Sequence, residues 1–202
     1  MVAIVDYGVG NLFSLKSSFA AIDVKAIVTS DPSEILGADR IILPGVGAFE
    51  DAARKLKESG LDKVLKQAVD KGIPLMGICL GMQMLFDKSF ENGEFEGLGF
   101  VKGEVRPIKE VIPQDLKIPQ IGWNALSIKK PSKIFKYIKD GDYVYFVHSY
   151  YAANCNDSLI ADTNYGAPLT AAVQNGNVYG CQFHPEKSGD VGLRILKAFC
   201  ED

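Results

Sequence analysis

Ile73-Pro74-Leu75-Met76-Gly77-Ile78-Cys79-Leu80-Gly81-Met82-Gln83 decides how this chain folds. Ile73 to Ile78 is a short apolar run, the pattern of a strand buried on both faces. Leu80 to Phe86 reads as a helix. At their junction, Gly77-Ile78-Cys79-Leu80-Gly81 has the form of a nucleophile elbow, with Cys in the central position. The flanking glycines relieve the steric cost of so tight a turn. The turn lifts the sulfur above the sheet edge. The N–H groups that follow open a helix and can stabilise an anion.

The residues before the elbow repeat the strand-then-helix order. Val2 to Asp6 is a buried-strand run, and Asn11 opens a helix with Leu12, Leu15, Phe19 and Ile22 on one face. Val24 to Val28 is a second strand. Asp31-Pro32-Ser33-Glu34 starts a helix, with a capping Asp, Pro at the first position and Glu at the third. Arg40 to Leu43 is a third strand, stopped by Pro44-Gly45. Residues 49 to 71 are helical, with a break at Gly60. Strands separated by helices imply parallel pairing through crossovers.

After the elbow the pattern changes. Strand signals dominate from Gly99 to Gln182, at Phe100–Val105, Tyr143–Val147, Leu159–Ala161, Leu169–Val173 and Val178–Phe183. Asn175-Gly176 predicts a hairpin turn between the last two. A helix from Asp190 closes the chain, with Leu193, Leu196, Phe199 and Cys200 inward. The expected architecture is an α/β three-layer sandwich with a mainly parallel central sheet and an antiparallel β extension in the C-terminal half.

Length favours one domain over residues 1–202, large enough to bury roughly 70% of its unfolded surface. Hydrophobic residues make up 47% and charged residues 23%, which excludes a disordered chain. The 22 Lys and Arg against 25 Asp and Glu give a net charge of −3, a poor match to nucleic acid. Lys129, Lys130, Lys133, Lys136 and Lys139 are the one basic cluster and read as a solvated helix face. The most apolar uncharged stretch, Gly72 to Phe86, is 15 residues and falls short of the about 20 mostly apolar residues a spanning helix needs. No basic n-region precedes the first strand, so no signal peptide is read. Four irregularly spaced Cys and two His give neither a zinc cluster nor a disulfide scaffold. These features point to a soluble cytoplasmic protein with no metal and no cofactor.

An ordinary thiol near pKa 8.5 is only about 3% thiolate at pH 7, so a nucleophilic Cys needs a base. His184 sits in Gln182-Phe183-His184-Pro185-Glu186, directly after a strand, where α/β sheets place active residues. Glu186 can fix its tautomer, and Cys…His-x-Glu then supplies nucleophile, base and orienter together. His148, inside an aromatic strand run, reads as a packed or substrate-edge residue. Pro44-Gly45-Val46-Gly47 offers a second oxyanion donor opposite Leu80, or is a plain strand-to-helix loop. Gly8-Val9-Gly10-Asn11-Leu12-Phe13 lacks the third glycine of a dinucleotide loop. Cys155, Cys181 and Cys200 read as structural.

Gly-Ile-Cys-Leu-Gly-Met-Gln (77–83) together with His-Pro-Glu (184–186) resembles the class I glutamine amidotransferases. The resemblance implies a flavodoxin-like fold and a Cys79-His184-Glu186 triad that releases ammonia from glutamine. Asp6–Asn11, Pro44–Phe49, Gly122-Trp123-Asn124, Phe146–Tyr150 and His184–Ser188 resemble the branch of the family that serves histidine biosynthesis. Met82 agrees, because relatives that feed chorismate-using enzymes usually carry His there. Residues 109–118 match no motif.

By this resemblance Leu80, Val46 and Gly47 form the oxyanion hole, and Gly47, Gln83, Ser149 and Tyr150 line the glutamine pocket. The implied partner is a (βα)8-barrel cyclase subunit, forming a heterodimer, that uses the ammonia to make imidazole glycerol phosphate and AICAR. Asn11, Trp123, Tyr145 and Lys187 are the expected partner face, although Trp123 fits a core position equally well. No membrane or nucleic acid is implied. The residues alone leave open a glutaminase for a chorismate-using enzyme, a Cys-elbow hydrolase of another amide or ester, and a non-enzymatic assembly subunit.

Overall fold

Alternation along the short apolar strands organises the whole molecule. In the computed structural model, which describes residues 1–201, strand β1 (Val2–Val5) sends Val2 and Ile4 to one face and Ala3 and Val5 to the other. It lies between β2 (Ala26–Thr29) and β3 (Arg40–Leu43), all parallel. Strand β4 (Leu75–Ile78) pairs with β3, and the far strand β14 (Val178–Cys181) pairs parallel to β4. Beyond β14 the sheet turns antiparallel through β13 (Pro168–Asn175), β12 (Leu159–Asn164) and β9 (Ser127–Ile128). The Asn175-Gly176 turn joins β13 to β14, with Gly176 at φ 57°. This is the expected mixed sheet, with its five parallel strands together.

Helices cover both faces. On one side α1 (Leu12–Ala21) and α6 (Gly189–Cys200) bury Leu15, Phe19, Ile195, Leu196 and Phe199 against Ile4, Ile42, Met76 and Tyr179. On the other, α2 (Pro32–Leu36), α3 (Phe49–Glu58) and α4 (Leu61–Asp70) bury Ile35, Leu56 and Leu65 against Val5, Ile41 and Leu75. Each such side chain contributes roughly 1.5–3 kcal/mol. Asp31 caps α2 as expected, accepting from Ser33 and Glu34 N–H, with Pro32 at the first position.

Several expectations are corrected. The helix expected over Leu80 to Phe86 is only α5 (Leu80–Gln83). The carbonyls of Met84, Leu85 and Phe86 accept instead from Leu98, Gly99, Phe100 and Val101, so the chain leaves the helix for β5 (Phe86–Ser89). Strand β2 begins at Ala26, because Asp23 turns at φ 58° and Val24 N–H still bonds to Phe19. In α6, Ile195 is buried where Leu193 was expected, and Leu193 is half-buried. The five lysines do not form a helix face: only a 3-10 turn spans Lys133–Phe135. Lys129 pairs with Asp162, Lys136 with Glu201, and Lys130 donates to the carbonyls of Asn156 and Asp157.

Two smaller sheets accompany the main one. One combines β5 with β6 (Phe95–Glu96), β7 (Val101–Pro107) and β11 (Tyr150–Ala153). The other pairs β8 (Gln120–Ala125) with β10 (Tyr143–His148). Strands β5, β6, β8, β9 and β11 were not expected.

Candidate active site

Cys79 stands at the end of β4 with φ 55° and ψ −113°, a conformation that L-residues rarely adopt and that costs on the order of 1–3 kcal/mol. Its neighbours enforce it. Its N–H donates to the Cys181 carbonyl at 2.8 Å, and its carbonyl accepts from Gln83 N–H at 3.1 Å. Gly77, Gly81 and Gly45 pack backbone against backbone: a Cβ on Gly77 would lie 2.5 Å from the Gly81 oxygen. Cys79 is 8% exposed, and its sulfur faces the Val147 carbonyl at 3.9 Å.

His184 follows β14 and is fixed by its N–H donating to the Tyr145 carbonyl at 2.9 Å. Its Nδ1 donates to Glu186 Oε1 at 2.8 Å, and both side chains are buried. This contact orients the ring and leaves Nε2 for Cys79. Burial disfavours the imidazolium, but hydrogen bonds and charges shared with Cys79 and Glu186 outweigh it and raise the pKa to about 9. His184 therefore stabilises the fold fully below its unfolded pKa of about 6.5, and that contribution is lost as pH rises through about 9. Glu186→Gln is expected to lower stability by about 2 kcal/mol at pH 6. The deficit should shrink towards pH 9.5 in urea unfolding. A deficit that grows with pH contradicts the pairing.

The elbow opens into a cavity of about 410 Å³. Cys79, His184, Leu80, Val46, Gly47, Gln83, Ser149 and Tyr150 all line it, so the expected nucleophile, base, oxyanion donors and pocket residues converge. Glu186 sits behind His184. Gly47 holds φ +92°, a conformation that glycine adopts without steric cost, and has no atom within 4 Å of a hypothetical Cβ. Tyr7 Oη donates to the Pro44 carbonyl at 2.6 Å and ties down the start of that loop. Gln83 is buried, donating to Tyr150 O at 3.2 Å and Gln182 Oε1 at 3.0 Å. Lys187, expected on the partner face, also reaches the cavity rim.

Glu91 was missed. It lines the cavity and accepts from Phe49 N–H at 3.0 Å, and burial raises its carboxyl pKa. Phe90-Glu91-Asn92-Gly93 reads locally as a turn, and only the fold carries it to the pocket. His148 is both packed and at the cavity edge, as the sequence suggested.

Trp123 is 52% exposed, so the core alternative is excluded. Its ring meets Tyr145 edge-on at 6.0 Å across the β8–β10 pair. Cross-strand partners share a face. Ile121, Trp123, Tyr143 and Tyr145 therefore make one apolar stripe on the strand pair whose Val147 carbonyl faces the Cys79 sulfur. Lys187 and Asn11 are exposed, and Asn11 also caps α1 by accepting from Ser14 N–H at 3.3 Å.

The family model described as glutamine amidotransferase class-I matches residues 3–202. Imidazole glycerol phosphate synthase subunit HisH of Caldanaerobacter subterraneus subsp. tengcongensis is 50% identical over 202 residues, covering 100% of this chain and 98% of that protein. The HisH subunit of Lactococcus lactis subsp. lactis is 48% identical with the same coverage. A crystal structure of a glutamine amidotransferase superposes with a TM-score of 0.76 at 19% identity, covering 98% of this chain and 99% of that one. PurLQS from Thermotoga maritima gives 0.72 at 19% identity, covering 98% and 96%. These two structures share the fold. The match from end to end, at half the residues identical, makes this chain a member of the class-I glutamine amidotransferases, in the group of HisH subunits of imidazole glycerol phosphate synthase.

Proposed function

We propose that this chain is the glutaminase subunit of an imidazole glycerol phosphate synthase and supplies ammonia for histidine biosynthesis. One observation carries the chemistry: the strained Cys79 and the buried His184–Glu186 pair open onto a single cavity. The Cys79 thiolate attacks the carboxamide carbon of glutamine. The tetrahedral oxyanion is held by the N–H of Leu80 and by an N–H of the Val46–Gly47 segment. His184 gives its proton to the departing nitrogen, and ammonia leaves a glutamyl thioester. His184 then takes a proton from water, the hydroxide displaces the sulfur, and glutamate is released. Glu186 orients His184 through both steps. Gly47, Gln83, Ser149 and Tyr150 bind glutamine, and the Glu91 carboxylate suits its α-ammonium group.

Residues 1–202 form one glutaminase domain. A free glutaminase wastes glutamine, so the ammonia passes to a partner, the (βα)8-barrel cyclase, in the cytoplasm. The stripe of Ile121, Trp123, Tyr143 and Tyr145 with Lys187 and Asn11 suits that partner. Exposed aromatic side chains flanked by polar residues are common binding anchors.

The test measures ammonia and glutamate release from glutamine by the chain alone, with the cyclase, and with the cyclase plus its phosphorylated ribulosyl substrate. Strong turnover only in the last sample is expected. Trp123→Ala should weaken the complex by about 2 kcal/mol, roughly thirtyfold in Kd. Turnover indifferent to the cyclase rejects the partner, and activity on simple esters but not glutamine rejects the substrate.

A further inference from the structure

Gln182 stands beside the nucleophile because of strand register. Cys181 on β14 pairs with Ile78 on β4, so Gln182 and Cys79 follow as neighbours at the strand ends. The Cys79 N–H donates to the Cys181 carbonyl and the Gln182 N–H to the Ala171 carbonyl, each at 2.8 Å. The Gln182 side chain is fully buried, with Nε2 donating to Cys79 Sγ at 3.8 Å. Its Oε1 accepts from Gln83 Nε2 at 3.0 Å, and Gln83 Nε2 also donates to the Tyr150 carbonyl at 3.2 Å.

The direction of the Gln182 amide is fixed by a group that cannot turn. A side-chain amide has a donating end and an accepting end, and either could face the sulfur. The Tyr150 main-chain carbonyl only accepts, so the Gln83 atom beside it is the nitrogen. That same nitrogen meets one end of the Gln182 amide, which is therefore the oxygen. The Gln182 nitrogen is left for the sulfur. Turning Gln182 alone would set two donors face to face. Turning both amides would set the Gln83 oxygen against the Tyr150 carbonyl. A buried site disfavours either arrangement.

We propose that Gln182 is a further catalytic residue, whose amide N–H, aimed by Gln83, holds the negative charge of the Cys79 sulfur. The role rests on the reading of Cys79 as the nucleophile. The sulfur carries that charge twice: before it attacks glutamine, and again when water displaces it from the glutamyl thioester. A donor set in place beforehand needs no reorganisation at either moment. The Val147 carbonyl, 3.9 Å from the sulfur, works the other way, because it accepts from S–H and repels a thiolate. Gln182 and the His184 imidazolium oppose it. The other ionisable groups around the sulfur are Glu186 behind His184, Tyr7, which burial and the charge of Cys79 keep protonated, and His148, Glu91 and Lys187 on the cavity wall. The substitutions tested leave all of these in place.

The test is the rate of alkylation by iodoacetamide as a function of pH, on the full chain. Subtracting the rate of Cys79→Ala protein leaves Cys79 alone. Gln182→Met keeps the shape and removes the donor. Its half-maximal rate is expected about one pH unit above wild type, with alkylation about tenfold slower below the wild-type midpoint. The plateau at high pH should not fall, because a more basic thiolate is at least as nucleophilic. Gln182→Glu keeps an acceptor for Gln83 and sets an anion against the sulfur, so its midpoint should rise further. An unmoved midpoint in Gln182→Met overturns the role, as does a lower plateau without a shift. A rise in Gln182→Glu alone reports added charge and overturns it too. Wild type gives a second readout should Gln182→Met fail to fold. The ¹⁵N side-chain amide of Gln182 is the signal pair missing from Gln182→Glu. One of its two protons is expected to move downfield with the alkylation midpoint and to stay still in Cys79→Ala. No movement in wild type overturns the role. If wild type is alkylated no faster than Cys79→Ala, the nucleophile reading itself falls, and the role of Gln182 with it.

Discussion

Cys79→Ala is expected to lower glutamine hydrolysis by about four orders of magnitude, assayed with the cyclase and its substrate present. The melting temperature should stay within about 3 °C of wild type. The size follows from the absence of a substitute. Cys181 is fully buried, its thiol pKa raised by that burial and by Glu186, and Cys155 is raised by burial too. Neither lines the cavity. Alanine keeps the Cβ and inherits the same backbone strain, so little stability changes. Cys79→Gly separates strain from chemistry. It removes the nucleophile and relieves φ 55°, and it should match or exceed wild type in stability by about 1 kcal/mol. A purely structural cysteine would behave in the opposite way: both variants would destabilise the protein by opening a cavity. Turnover within tenfold of wild type in purified Cys79→Ala protein would end the nucleophile assignment.

The elbow was legible because its information is local. Apolar residues from Leu75 to Ile78 fix the strand, and two glycines fix the turn. His184 and Glu186 were legible for the same reason, being two residues apart at a strand end. The helix beyond the elbow was overextended because Leu80 to Phe86 is apolar except for Gln83 and buried throughout, so periodicity cannot distinguish helix from strand there. Backbone groups of residues 98–101 decide the matter, and they lie far along the chain. Strand β8 was hidden by an inverted pattern. Its apolar residues, Ile121 and Trp123, face outward, and its inward positions hold Gln120 and Asn124. That inversion suits a strand whose outer face meets a partner and whose inner face carries hydrogen bonds. Glu91 was invisible for a third reason: its place in the cavity depends on Phe49, 42 positions away.

Gly81→Ala should cost about 3–5 kcal/mol and lower the melting temperature by about 10 °C, a larger stability loss than any catalytic substitution. Gly81 has an ordinary φ, so the requirement is space. A Cβ there would lie 2.0 Å from the Leu43 oxygen and 2.9 Å from the Leu43 carbonyl carbon. These are backbone atoms of β3, and no rotamer moves them aside. Either β3 retreats with the Pro44–Gly47 loop behind it, or α5 lifts away with Leu80 and the Cys79 turn. Both routes separate the two groups of N–H donors that must meet one oxyanion. Activity should therefore fall about a hundredfold in kcat even at temperatures where the variant remains folded. Gly72→Ala is the control. Gly72 holds φ +81° and has open space around it, so alanine there costs only about 1–2 kcal/mol of conformational strain. It lies at the opposite end of β4 from the cavity and should leave kcat unchanged. If Gly81→Ala proved no less stable than Gly72→Ala and retained full kcat, the elbow and the oxyanion loop could not be in direct backbone contact.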